Sequence, residues 1–146
     1  MKRIIKIVYA CIFLSLFFGP LPGKAHSSGN PGVKVEKLLG TEKSWDGTTY
    51  QRYPDGIPQL SVLKITIAPN TYLDWHQHSV PNAAYVHSGE LTVEKKSTGE
   101  RRTLKTGEVL PEMVGSGHRG YTGKEGVTLI VFYAGKKGIP LSESLK

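Results

Sequence analysis

Cysteine is almost absent from this chain. The single Cys11 lies inside an apolar run near the N-terminus. A mature protein without that run has no disulfide and no thiolate, so its stability comes from the core and its metal ligands from nitrogen or oxygen. Helical periodicity is missing too. No segment sustains it over a dozen residues, and short apolar runs are broken at close intervals by Gly, Pro, Asn and Asp. That pattern indicates an all-β sandwich or barrel. There is no basic cluster. The 19 Lys and Arg outnumber the 12 Asp and Glu for a formal charge of +7, but they are scattered, which argues against nucleic acid as a partner. No internal repeat is visible, so one barrel is expected rather than two.

The longest apolar run, Ile7 to Phe18, falls short of the ~20 residues that a spanning helix needs. Lys2, Arg3 and Lys6 precede it and Gly19-Pro20 ends it. Gly23-Lys24-Ala25 then places small residues where a signal peptidase needs them, with Ala25-His26-Ser27 as a second option. Residues 1–25 therefore read as a signal peptide, with an uncleaved anchor as the alternative. Cleavage removes four basic residues and leaves 15 basic against 12 acidic, a formal charge of +3. The expected location is periplasmic or secreted, with no membrane attachment after cleavage. Residues 26–33 read as a flexible leader, and 34–146 as the folded domain.

Within that domain, Leu60 to Ile67 alternates, with Leu63, Ile65 and Ile67 on one face. Further strands are predicted over 72–78, 83–87, 91–95, 101–104, 109–114 and 128–133. Ser88-Gly89-Glu90 reads as a tight hairpin and Ser97-Thr98-Gly99-Glu100 as a second turn. The tail after Lys137 is expected to form at most a helical turn.

His76-Gln77-His78 carries the chemistry. Residues i and i+2 of a strand point to one face, so one piece of backbone aims two imidazoles at one point. His118 follows forty residues on, behind a Gly-rich turn. The three are either polar residues lining a barrel or ligands of a transition metal, for which imidazole is well suited. Counting by two from Asn82 sends Ala84 and Val86 inward, and Tyr85 and His87 outward. His87 is thus a surface residue, and His26 lies in the leader.

The spacing resembles the cupin superfamily. In its first motif Asn70 stands at the initial Gly position, His76 and His78 match, Asn82 falls where a Glu belongs, and Gly89 closes the motif. In its second, Gly107, Gly115 and His118 match, whereas Met113 replaces a Pro and Thr122 an Asn. The resemblance spans about residues 60 to 133. It implies a jelly-roll β-barrel and a site of three histidines and one carboxylate. It also implies pairing into a homodimer, with Tyr85 and Trp75 among the apolar outer positions.

On that resemblance, His76, His78 and His118 bind a divalent transition metal (Fe, Mn, Zn or Ni), with Asn82 as a weak fourth ligand or a substrate contact. A neutral Asn82 leaves the ion's charge uncompensated and favours an anionic substrate. Asp74 and Glu112 are the nearby candidates to compensate, as acceptors for an imidazole N–H or as a general base, the alternative for each being a solvated or salt-bridged carboxylate at the barrel mouth. Arg119 is a candidate for pairing an anionic ligand. Tyr72, Trp75, Tyr121 and Trp45 are read as packing, with Tyr121 near a pocket mouth. The implied function is a metal-dependent enzyme of dioxygenase or isomerase type acting on a small anionic organic molecule. The alternatives are a non-catalytic binder of a sugar or organic acid, and an interaction protein with a vestigial site.

Overall fold

The computed structural model describes residues 31–146, of which Glu36–Lys146 form one compact unit. The expected signal peptide, with Cys11, and most of the leader lie outside the described residues. Among the described residues no helix is long and apolar enough to cross a membrane.

The unit is built from eight strands: β1 (Pro58–Ile67), β2 (His76–Gln77), β3 (Asn82–Lys95), β4 (Arg101–Lys105), β5 (Val109–Pro111), β6 (His118–Tyr121), β7 (Val127–Lys136) and β8 (Glu143–Ser144). They form one curled sheet in the order β1-β7-β3-β6-β2-β8, with β4 and β5 also paired to β3. The pairs are antiparallel, and β1 and β7 match over their full length, Pro58 with Lys136 to Ile67 with Val127.

β3 is the spine. The hairpin expected at Ser88-Gly89-Glu90 does not exist, because the chain continues as a single strand of 14 residues. The turn-forming residues bend the strand instead. His87 is an extra residue between Val86 and Ser88, a β-bulge against β7. Gly89 follows at φ 84°, and a Cβ there would run into the Gly126 carbonyl oxygen. A bulge shifts side-chain alternation by one residue. Before it Asn82, Ala84 and Val86 are buried, and after it Leu91 and Val93 are. The first half of β3 pairs with β7 and β5, the second half with β4 and β6. One bent strand thus joins both walls of the barrel.

Two further expectations change. The tail is not helical. After a turn at Lys137-Gly138 it forms β8, which pairs with β2, His76 opposite Ser144. The strand expected over Tyr72 to His78 is regular only at His76–Gln77, with single bridges from Tyr72 to Tyr121 and from His78 to Val114. β6 was not legible in His118-Arg119-Gly120-Tyr121, which shows no apolar alternation. Gly120 belongs there because Leu91 and Leu73 fill the space a side chain would take.

The core is aliphatic. Val127, Leu129, Val131 and Tyr133 of β7 face Ala84, Val86, Leu91 and Val93 of β3, with Leu104, Leu110 and Met113 fully enclosed. Truncating such a residue, as in Leu110→Ala, costs about 2–5 kcal/mol.

Candidate metal centre

His76 on β2 and His118 on β6 are direct cross-strand partners, and His78 follows on the strand that carries His76. Cross-strand and i, i+2 neighbours are the two ways a sheet brings side chains to one point. The ring centroids lie 4.5 Å (His76–His118), 5.0 Å (His78–His118) and 5.1 Å (His76–His78) apart. One nitrogen from each ring falls in a group whose members all lie within 4.8 Å of one another. His78 and His118 are buried, and His76 is half-buried.

Each ring is oriented by main chain. Nδ1 of His76 lies 2.8 Å from the Asp74 carbonyl oxygen, Nδ1 of His78 2.7 Å from that of Leu141, and Nδ1 of His118 2.9 Å from that of Ser116. A carbonyl only accepts, so each Nδ1 carries the proton and donates it. Each Nε2 is then the nitrogen left for a cation, and the ring angle is fixed by the same bond. The Leu141 carbonyl comes from the C-terminal tail, so β8 and its approach belong to the site.

Glu112 lies beside the cluster. Its Oε2 lies 3.3 Å from His118 Nε2, with both side chains almost fully buried. No aligned hydrogen bond joins the two atoms, and neither has another hydrogen-bond partner. Facing polar atoms left this way in a buried place call for a proton between them, a bound water or an ion. Glu112 is gripped through its backbone: its N–H donates to the Asn82 carbonyl at 3.1 Å, and its carbonyl accepts from the Tyr50 hydroxyl at 2.7 Å.

Charge within the cluster is strongly coupled. Burial works against the Glu112 carboxylate, but the imidazoles, His118 foremost, outweigh it and hold its pKa below the usual range. Burial likewise opposes a charged His118, and Glu112 outweighs it, so this pKa is raised. Burial prevails at His76 and His78, whose pKa values are lowered and whose lone pairs are accordingly free for a cation. Burial, with the Glu112 charge behind it, pushes the Tyr133 phenol up to about 12, so it stays a donor.

The histidines line an interior cavity of about 60 Å³ together with Glu112, Tyr133 and aliphatic side chains. Asn82 does not line it. The Asn82 side chain donates to the Val80 carbonyl at 3.3 Å, and its Oδ1 is buried without a partner. Asn82 borders a separate groove of about 640 Å³ between residues 39–53 and β3, β5 and β7. That groove is larger, but it holds none of the three imidazoles, which all line the smaller cavity.

The other candidates lie elsewhere. Asp74 is exposed and meets the site only through its carbonyl. His87 is exposed at the bulge. Arg119 pairs with Glu94 at 2.8 Å and sits over the rings of Trp75 (4.3 Å) and Tyr72 (4.9 Å). Tyr121 stacks on Tyr72 with centroids 4.7 Å apart. Trp45 is buried in the core. Thr122, at the motif's Asn position, is structural and donates to the Ala68 carbonyl at 2.6 Å.

Sequence reasoning missed Tyr50, Tyr133 and the three carbonyls. Tyr133 was within reach, since alternation along β7 carries the inward parity of Leu129 and Val131 to it. Nothing in the sequence marks a backbone carbonyl as an imidazole acceptor.

No protein-family model matches the chain, and no curated protein matches it. Solved structures do. A DMSP lyase from Ruegeria pomeroyi is 18% identical over 58% of this chain and 42% of that one, with a TM-score of 0.52. A cupin-like protein from Thermotoga maritima is 17% identical over 59% and 64%, with a TM-score of 0.51. A polyketide cyclase from Streptomyces resistomycificus is 20% identical over 64% and 65%, with a TM-score of 0.53. The chain thus spans less than two thirds of the length of these structures. At these identities the likeness is one of fold, and the fold is the all-β cupin jelly roll.

Proposed function

We propose that this protein is an exported, metal-dependent enzyme of dioxygenase type that acts on a small anionic organic molecule. The observation that carries the reading is the set of three imidazoles, each with Nδ1 tied to a carbonyl, facing the orphaned Glu112 Oε2. His76, His78 and His118 would hold a divalent transition metal (Fe, Mn, Zn or Ni), with Glu112 as the fourth ligand in place of Asn82. When bound, such an ion supplies a Lewis acid and, if redox-active, a site for O₂. The chain's own residues do the rest. Glu112 offsets one of the ion's two charges, the aliphatic walls exclude water, and Tyr133 offers a protonated hydroxyl. The DMSP lyase and polyketide cyclase above give the fold a precedent for enzymatic use.

One observation favours the second reading, a non-catalytic binder of a small organic acid. Among the described residues lining the cavity, Glu112 is the only carboxylate. If the ion takes it as a ligand, no free general base remains beside the substrate. A homodimer is also proposed, since Leu60, Val62 and Phe132 lie exposed on one outer face beside the long edge strand β1.

Elemental analysis of protein purified from the periplasm or medium tests the site. Stoichiometric metal that disappears in His76→Ala and His118→Ala supports it, and no metal in the native protein sinks both readings. Oxygen consumption over phenolic, thiol and keto-acid substrates then separates enzyme from binder.

A further inference from the structure

We propose, building on the metal-dependent reading above, that the molecule completing this site is a monocarboxylate with a short aliphatic body. Dicarboxylates, sugars and aromatic acids are excluded. Three properties of the cavity point there.

The first is size. The cavity of about 60 Å³ includes the space for the ion itself. A single water needs roughly 10–15 Å³ on this measure, whereas pockets for drug-sized ligands run to about 300–1,000 Å³. After the ion is seated, room remains for a carboxylate head and about two or three carbons. The walls do not yield readily, because Leu129, Val131 and Val93 are packed core residues and Ile65 is a strand residue packed against them.

The second is charge. With Glu112 ionised, a divalent ion leaves the site with one net positive charge, which a single carboxylate neutralises. A second carboxylate would have no partner, since neither Lys nor Arg lines the cavity. Burying an unpaired charge is strongly unfavourable. Arg119, the nearest cation in sequence, is committed to Glu94 and stacked on Trp75 and Tyr72.

The third is polarity. Apart from the three imidazoles and Glu112, the only polar side chain on the wall is Tyr133, whose ring centroid lies 5.7 Å from that of His78. One hydroxyl serves one oxygen of the head group. A polyhydroxylated ligand would leave its other hydroxyls against Leu91, Val93 and Leu129 without partners.

Cobalt(II)-loaded full-length protein tests this without any assay of activity. Its visible absorption band reports the ligands around the ion, and it is titrated with acetate, propionate, malonate, glucose and benzoate. Propionate is expected to bind about fourfold more tightly than acetate, the gain of burying one methylene. Malonate is expected at least tenfold weaker than propionate, with no response to glucose or benzoate. Malonate or benzoate binding as tightly as acetate, or equal affinities for acetate and propionate, overturns the inference while leaving the metal site standing. Absence of any cobalt band that His118→Ala abolishes overturns the metal reading and this inference with it. Val131→Ala is expected to admit valerate, which the native protein excludes. Ile65→Val, a one-methyl change, is the variant to use if Val131→Ala does not fold, and a chain-length preference unmoved in a folded variant counts against the cavity as the selector.

Discussion

Replacing Glu112 by Gln in metal-free protein separates a charged pair from a passive buried side chain. At 3.3 Å and an effective dielectric constant of about 20, the attraction between Glu112 and a protonated His118 is roughly 5 kcal/mol before desolvation. Desolvation of two buried groups cancels a large part, and a net contribution of about 2–3 kcal/mol is expected. That contribution depends on pH in a defined way. The His118 pKa is raised, so its share is complete below the unfolded value of about 6.5 and is lost as pH rises through the folded value. The Glu112 pKa is lowered, so its share is present above about 4.3 and is lost on acidification through the folded value. The pair is therefore at full strength near pH 5.5–6. Glu112→Gln should lower the melting temperature by roughly 10 °C there, at about 4 °C per kcal/mol for a domain of this size. The loss should shrink as pH rises through the folded His118 value, where the imidazole gives up its charge. Differential scanning calorimetry in chelator at pH 5.5 and pH 9 makes the comparison. An equal loss at the two pH values would refute the charged pair and assign Glu112 a packing role alone.

Other outcomes are as definite. Deleting residues 141–146 removes the Leu141 carbonyl and β8, freeing the His78 ring; metal affinity by isothermal titration calorimetry should fall about 10–100-fold, and an unchanged affinity would dismiss the tail from the site. Asn82→Ala should leave metal stoichiometry intact, whereas Glu112→Ala should not, and the reverse pattern would restore Asn82 as the ligand. Gly89→Ala combines a disfavoured φ with a collision against Gly126, and a cost above about 3 kcal/mol in denaturant unfolding is expected. Asp46→Asn removes the partner of Lys95 at 2.6 Å. Burial opposes the Asp46 charge, but Lys95, Ser44 and Thr48 hold its pKa well below the usual range, so the stability it adds is present above about pH 4 and fades as pH falls further. The variant should therefore be less stable at pH 7 and show a flatter loss of stability on acidification.

What the sequence made legible follows the reach of local rules. Alternation placed Leu63, Ile65 and Ile67 on one face and sent His87 outward, because the period of a strand is set within a few residues. The His76–His78 pair was legible for the same reason. β6 was not, since Gly120 is there to make room for Leu73 and Leu91, which come from other parts of the chain. The bend in β3 read as a hairpin because Gly89 serves either purpose, and only the presence of β7 and β6 as separate partners decides between them. The tail read as at most a helical turn because nothing in Ser142-Glu143-Ser144 announces a strand; β2 supplies the pairing partner.

Glu112, proposed above as the fourth ligand, stands directly across the sheet from Asn82, which occupies the motif's carboxylate position. Asn82 and Glu112 are cross-strand neighbours on β3 and the end of β5. The register that pairs Ala83 with Pro111 sets them opposite one another, and the Glu112 N–H donates to the Asn82 carbonyl. On the proposed reading, the carboxylate of the site stands one backbone hydrogen bond away from the motif position. The new position needs support that the middle of a strand would provide without help. Tyr50 provides it by donating to the Glu112 carbonyl, and Trp45 by donating its backbone N–H to the Pro111 carbonyl at 2.9 Å. The segment carrying Tyr50 and Trp45 is in turn pinned to β3 by Asp46 and Lys95. A motif read along one strand registers only the loss at Asn82. The carboxylate proposed to compensate follows the neighbouring strand, braced by a segment about sixty residues earlier in the chain, and its place opposite Asn82 is visible only once the sheet is assembled.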